Sequence, residues 1–169
     1  MKKIITFSIF ILVLILLFGC STAKISSYTE SLKIEDLITE YARTNGYHND
    51  MLYPYIKVIK NEETLLEYYK NQKNRYSMES DDENSFKTII LDYNESYFEN
   101  NVLVIILIEE PSGSIRHEIE SVNVNDNSII FGIKSIVPEM GTTDMAQWHI
   151  LISIPSDLFH DEDIEVNFN

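Results

Sequence analysis

Four histidines are the first side chains to consider for chemistry, because imidazole serves as a metal ligand and as a general base. They lie at positions 48, 117, 149 and 160, and no two have the spacing of a zinc motif. His117 alternates with Ile115 and Ile119, which predicts that it faces inward on a strand. A metal site that combines His117, His149 and Asp144 is conceivable. No ligand spacing supports it, so we predict no metal site.

Motifs for a nucleophile or a carboxylate pair are equally uninformative. Ser112 lies in a Pro-Ser-Gly-Ser turn and not in the Gly-x-Ser-x-Gly pattern of a nucleophile elbow. The acidic runs at 81–83 and 161–163 do not fit an EF-hand loop. A chain with 27 acids contains carboxylate pairs by chance alone, so their presence says nothing about glycoside hydrolysis. We predict that the chain is not an enzyme and uses no cofactor; an envelope hydrolase with carboxylates is the alternative.

Composition narrows the class of protein. The chain has 169 residues, with 13 Lys and Arg against 27 Asp and Glu, for a net charge of −14. Such a charge repels phosphates, so we predict no nucleic-acid partner. A hydrophobic content of 44% is typical of a folded domain.

The charge is uneven along the chain. Residues 88–169 carry only Arg116 and Lys134 against fifteen acids. This pattern indicates either a solvated surface or an acidic face that meets a basic partner or cell-wall cations.

The N-terminus is typical of an exported protein. Lys2 and Lys3 precede residues 4–18, which are apolar apart from a Thr and a Ser and are too short for a bilayer span of about 20 residues. The sequence Leu-Phe-Gly-Cys at 17–20 then resembles the bacterial lipobox, in which the cysteine is diacylated and becomes the mature N-terminus. Cys20 is the only cysteine, so the chain forms no internal disulfide.

These features predict a signal peptide over 1–19 and a tether over 20–29. They also predict a membrane anchor through Cys20 at the outer face of the bacterial cytoplasmic membrane. The predicted lipobox and lipidation residues are Leu17, Gly19 and Cys20.

Helices are predicted only in the N-terminal half of the domain. Part of the apolar spacing in 30–44 fits an amphipathic helix. Residues 55–60 read as a short strand after Pro54. Residues 62–73 read as a helix, because Asn61 is a good cap and acids precede lysines along it. Residues 74–85 are predicted to form a solvated loop.

From residue 86 onward the pattern is that of a β protein. We predict strands over 86–91, 102–108, 115–124, 128–137, 146–154 and 164–168. The seven apolar residues of 102–108 indicate a strand buried on both faces. The fold class is therefore predicted as α+β: a single domain over 30–169 with one or two helices. Its antiparallel β-meander is expected to curl into a small barrel or sandwich.

Two connections in this β-rich part are unusual in composition. The turn at 111–114 and the segment 138–149 contain the only Trp, two Met and two Gly, which indicates either core filling or an interaction surface. Whether the two lie at the same end of the sheet is left open by the sequence. The candidate interaction residues are Pro111, Ser112, Gly113, Gly141, Asp144, Met145 and Trp148.

Three segments carry a family resemblance, at 97–101, 111–118 and 141–152. They resemble uncharacterised Firmicutes lipoproteins, and the layout over about 55–155 is similar to the C-terminal domain of PrcB-type protease complex subunits. The resemblance implies a lipid-anchored accessory subunit that assists or stabilises an envelope protease, with no catalytic residue. A small-ligand or metal-binding surface lipoprotein and a protease inhibitor are the alternatives.

Overall fold

A computed structural model describes residues 31–169 except 47, 49 and 126. The predicted signal peptide, the lipobox residues Leu17 and Gly19, Cys20 and the tether over 20–29 lie outside the described residues. No helix in the described ranges has the length and apolar character needed to cross a bilayer.

The domain has three layers: a helical layer, a four-stranded sheet and a three-stranded sheet. The four-stranded sheet has the order β1-β6-β3-β2, and the three-stranded sheet has the order β4-β5-β7. The strands are β1 Ile38–Thr44, β2 Tyr55–Ile59, β3 Asn101–Glu110, β4 Arg116–Val124, β5 Ser128–Ile136, β6 Ala146–Pro155 and β7 Asp163–Phe168. The helices are α1 Glu62–Gln72, α2 Phe86–Ile89 and α3 Glu95–Phe98, with 3₁₀ turns at Ile34–Asp36, Ile90–Asp92 and Ser156–Leu158.

Strand β3 divides the interior into two cores, as its apolar run predicts. Leu103, Ile105 and Leu107 face the helices and belong to one cluster, which we call the helix-side core. Val104 and Ile106 face the three-stranded sheet and belong to the other, the sheet-side core. β3 pairs antiparallel with β6 along its whole length, so both faces of the central strands are covered.

Helix α1 forms where the sequence predicts it. The side chain of Asn61 accepts a hydrogen bond from the backbone N–H of Thr64 at 2.8 Å. Leu65 and Tyr68 are buried against the sheet.

The predicted helix over 30–44 is wrong. The segment forms one 3₁₀ turn and then β1, which pairs antiparallel with β6 more than 100 residues later. Ala42 faces the helices and Tyr41 faces the second sheet. An amphipathic strand with a distant partner was therefore mistaken for a helix.

The predicted strand over 86–91 is also wrong. Ser85 caps a short helix by accepting a hydrogen bond from Thr88 N–H at 3.2 Å. Phe86, Ile89 and Ile90 are buried at helical spacing against the helix-side core.

The α+β class, the single domain and the helices in the N-terminal half are confirmed. The two sheets pack as a sandwich, and the described residues form no closed barrel. β4 and β5 form a hairpin, whereas β2 and β3 pair antiparallel across a long connection that contains the helices. β7 departs from the antiparallel pattern, because it pairs parallel to β5.

Candidate functional site

Strand register places the two unusual connections at the same end of the sandwich. β3 ends at Glu110 opposite Ala146, the first residue of β6. β4 begins at Arg116 opposite Ile136, the last residue of β5. The β3–β4 turn (residues 111–115) and the β5–β6 loop (residues 137–145) are therefore neighbours, and we call them together the loop end.

Hydrogen bonds join the two connections directly. Gly113 N–H donates to the carbonyl of Asp144 at 2.9 Å. Thr142 N–H donates to Ser114 Oγ at 3.0 Å, and Ser112 Oγ lies 3.3 Å from Thr142 Oγ1. The hydroxyls at the loop end thus hold the loops together, which is a structural use of these serines and not that of an activated nucleophile.

An ion pair between Arg43 of β1 and Asp144 closes one side of the loop end. A hydrogen bond from Thr142, with Arg43 also contributing, lowers the pKa of Asp144. A Cβ at Gly113 would lie 2.4 Å from Arg43 Nη2 and 2.8 Å from Asp144 Oδ2. Gly113 is therefore the residue that leaves room for the pair.

A cleft of about 360 Å³ lies beside this ion pair, at the lower end of the volumes typical of ligand sites. The Arg116 guanidinium stacks over Trp148, with its carbon 4.9 Å from the ring centroid. Arg116 Nη1 donates to the carbonyls of Gly113 at 2.8 Å and Ile115 at 3.1 Å, which fixes the guanidinium over the indole. The cleft is lined by Tyr41, Arg43, Asn84, Arg116, His117 and Trp148.

Two side chains of the cleft carry buried nitrogens without partners among the described residues. They are His117 Nδ1 and Trp148 Nε1. The other ring nitrogen of His117, Nε2, lies 2.7 Å from Glu110 Oε1 and donates to it, because a carboxylate only accepts. An unpaired buried donor or acceptor costs about 1–3 kcal/mol, so most such groups in proteins are paired.

The His117–Glu110 pair has the arrangement of a base oriented by a carboxylate. Its free nitrogen Nδ1 reaches no hydroxyl among the described residues.

The predicted interaction residues all lie at the loop end, but they differ in exposure. Pro111, Gly141, Asp144 and Met145 are exposed. Ser112 is half-buried, while Gly113 and Trp148 are buried. The chain also exposes Val137 and Met140, which are 70% and 90% exposed.

Sequence reasoning missed Arg43, Arg116 and Tyr41 as cleft residues. Arg116 carried a usable signal, because it is one of only two basic residues in 88–169. Arg43 carried none, because its position beside Trp148 depends on the β1–β6 register.

The structure does not bring His117, His149 and Asp144 together. The four-stranded sheet separates the two histidines, and Asp144 is paired with Arg43. Within the described residues no group of three His, Cys, Asp or Glu side chains is arranged to hold a metal ion.

His149 lies in a closed pocket of the helix-side core. Its Nδ1 lies 3.1 Å from Thr44 Oγ1 and its Nε2 lies 3.0 Å from Tyr68 Oη. Phe86 and Tyr76 contact the ring edge to face. Burial lowers the pKa of His149 to about 3, so the ring is neutral near pH 7.

The acids of the β-rich half lie in part on the outer face of the three-stranded sheet. Glu118, Glu120, Asp163 and Glu165 are exposed there, and Lys134 pairs with Glu118 at 2.8 Å. An acidic face that meets a basic partner stays a prediction.

Comparison with protein-family models, with curated proteins and with solved structures gave no match to this chain.

Proposed function

We propose that this chain is a lipid-anchored binding protein of the bacterial envelope, not an enzyme, whose loop end docks on another envelope protein. The single observation that carries the proposal is the exposed apolar tip at the loop end. Met140 is 90% exposed and Val137 70% exposed, and Met145 of the same loop is also exposed. Exposed methionine and aliphatic side chains on a loop held in place by hydrogen bonds are typical of a protein-binding surface.

The direction of β1 supports the same proposal. β1 begins at Ile38, opposite Ser153, and ends at Thr44, opposite Gln147 at the loop end. The chain therefore enters the four-stranded sheet at the end away from the loops. A lipid on Cys20 would be attached through residues that lead to this far end, which leaves the loop end free to meet a partner.

The class of partner comes from the sequence resemblance to PrcB-type subunits. We infer that the partner is an envelope protein such as a protease, which this chain assists or stabilises. A small-ligand lipoprotein is the second candidate, and the cleft beside Trp148 is the observation in its favour.

Site-specific photocrosslinking tests the docking surface. The full-length chain would carry a photoreactive residue at position 140 or at position 91. Leu91 is the matched control, because it is 72% exposed but lies in the helical layer. We expect one discrete crosslinked envelope protein from position 140, competed by unlabelled chain, and none from position 91. Equal crosslinking at both positions, or none at either, would contradict the proposal.

Lipid attachment has its own test. We expect the wild-type chain in the membrane fraction to have the mass of residues 20–169 plus a diacylglyceryl group, which supplies two acyl chains as a stable anchor. Cys20→Ser should lack this added mass and keep residues 1–19, because in lipobox proteins the diacylated cysteine becomes the mature N-terminus. The matched variant Ser21→Ala should stay in the membrane fraction. A wild-type chain in the membrane fraction without the mass of a diacylglyceryl group would overturn the anchor proposal.

A further inference from the structure

The cleft at the loop end has a surplus of hydrogen-bond donors. Arg116 forms no ion pair within the described residues, whereas Lys134, the other basic residue of 88–169, is paired with Glu118. Arg116 uses Nη1 for two carbonyls, and its Nε and Nη2 donate to no described residue. Trp148 adds an N–H that is likewise without a partner among the described residues.

The free nitrogens of Arg116 suit an acceptor with two oxygens. A guanidinium presents its donors in a planar fork that matches a carboxylate, and such charge-assisted bonds are stronger than neutral ones. The loop end already contains one example, because Arg43 holds the carboxylate of Asp144 beside the same cleft. A carboxylate is thus a ligand that the guanidinium groups of the cleft are suited to bind.

The other side chains of the cleft and the net charge of the chain restrict the kind of molecule that could bring a carboxylate to the cleft. The indole of Trp148 and the ring of Tyr41 supply an apolar wall. A chain with a net charge of −14 repels acidic segments and polyanions. One carboxylate on an apolar group is therefore favoured over a run of acids.

We propose that the cleft between Arg116, Trp148 and Tyr41 binds a single carboxylate attached to an apolar group, as in the C-terminal residue of a polypeptide. This inference rests on the proposed function, because it assigns to the docking partner a free C-terminus that enters the cleft.

Trp148 makes the test direct, because it is the only tryptophan in the chain and lines the cleft. The full chain in detergent would be titrated with N-acetyl-leucine while Trp148 fluorescence is recorded. We expect a saturable change with N-acetyl-leucine, and none with N-acetyl-leucine amide, which lacks the carboxylate. N-acetyl-aspartate α-amide places the carboxylate on a side chain, and we expect it to bind more weakly.

Three variants distinguish binding in the cleft from a general effect of surface charge. We expect Arg116→Gln to weaken binding at least tenfold and Lys134→Gln to leave it unchanged within twofold. Asp144→Asn removes the negative charge that pairs with Arg43 beside the cleft, so we expect slightly tighter binding and a smaller change than in Arg116→Gln. Circular dichroism confirms that each variant is folded; Arg116 is exposed, so its replacement leaves the core intact.

Three results would overturn the inference. They are equal binding of acid and amide, an unchanged affinity in Arg116→Gln, or inorganic phosphate binding as tightly as N-acetyl-leucine. If position 140 crosslinks a partner while no carboxylate binds, this inference fails and the proposed function stands. If N-acetyl-leucine binds but no partner crosslinks, the docking proposal fails and the cleft is a small-ligand site.

Discussion

The two buried histidines on either side of the four-stranded sheet differ in how their nitrogens are satisfied. His149, on the helix side, has a partner on each ring nitrogen and aromatic rings around it. His117, on the other side, has Glu110 on Nε2 and nothing on Nδ1 among the described residues. It also lines a cleft, together with an indole whose N–H is unpaired within the same residues.

This difference separates a structural histidine from a histidine at a site. Buried polar groups that serve the fold are paired, because each unpaired one costs free energy of folding. His117 Nδ1 and Trp148 Nε1 are buried and unpaired within the described residues, and both side chains line the sheet-side cleft. His149 is therefore a structural residue of the helix-side core, and the sheet-side cleft that His117 lines is where binding is proposed.

Replacing His149 should have the largest effect. His149→Ala leaves Tyr68 Oη and Thr44 Oγ1 without their partner and opens a cavity in a closed core. We expect the free energy of unfolding to fall by about 3 kcal/mol. His117→Ala is the matched variant and should lose clearly less, because its Nδ1 has no bond to lose. Urea denaturation of both measures this, and equal losses would remove the distinction between the two histidines.

The stability of the fold should depend on pH through the same residue. Burial holds the pKa of His149 at about 3 in the folded chain, against an ordinary value of 6.5. As the pH falls, the unfolded chain therefore binds the proton before the folded chain does. The contribution of neutral His149 to stability is fully present above about pH 6.5 and is lost as the pH falls toward 3. The loss is about 1.4 kcal/mol for each pH unit in that window.

His149→Gln isolates this contribution. Glutamine keeps a donor and an acceptor for Thr44 and Tyr68 but does not titrate. The carboxylates titrate in both proteins, so the difference between the two pH profiles belongs to His149. We expect the variant's unfolding free energy to fall less steeply between pH 6 and pH 4. Parallel profiles would show that His149 does not stay neutral in the folded chain.

The sequence predicts the central strand β3 and the inward position of His117. The run at 102–108 has no polar side, and only a strand covered on both faces suits it, so β3 was predictable. The inward position of His117 followed from alternation in the same way. Neither inference needs to know which strand is the neighbour.

The cleft was not predictable, because it depends on long-range pairing. Arg43 meets Trp148 only through the β1–β6 register, across more than 100 residues. Residues 30–44 were predicted as a helix, which gave Arg43 no position in the sheet. Local residue spacing predicts the type of a single helix or strand. Predicting a site between strands also requires knowing which strands are paired and in which register.

Tyr68→Phe and Trp148→Phe compare the two sides of the sheet with smaller changes in unfolding free energy. Tyr68→Phe leaves His149 Nε2 buried and unpaired, and we expect a loss of about 2 kcal/mol in unfolding free energy. Trp148→Phe removes an N–H that has no partner among the described residues, so only ring area and the Arg116 contact are lost, about 1 kcal/mol or less. Urea denaturation gives both values. The reverse order would mean that the indole N–H is paired in the folded chain.

Gly113→Ala should have the smallest effect on stability. The three atoms nearest to the new Cβ belong to the ends of the Arg43 and Asp144 side chains, which are exposed in part and have room to move apart. The loops remain joined by the bond from Gly113 N–H to the Asp144 carbonyl. An exposed ion pair contributes less than about 1 kcal/mol, so we expect a loss below that value. Gly141→Ala is the matched control, since its Cβ would approach Ser112 Oγ at 3.1 Å and touch no ion pair. A loss of several kcal/mol in Gly113→Ala alone would mean that the loop end is part of the core, and the contrast between a structural side and a binding side of the sheet would then not hold.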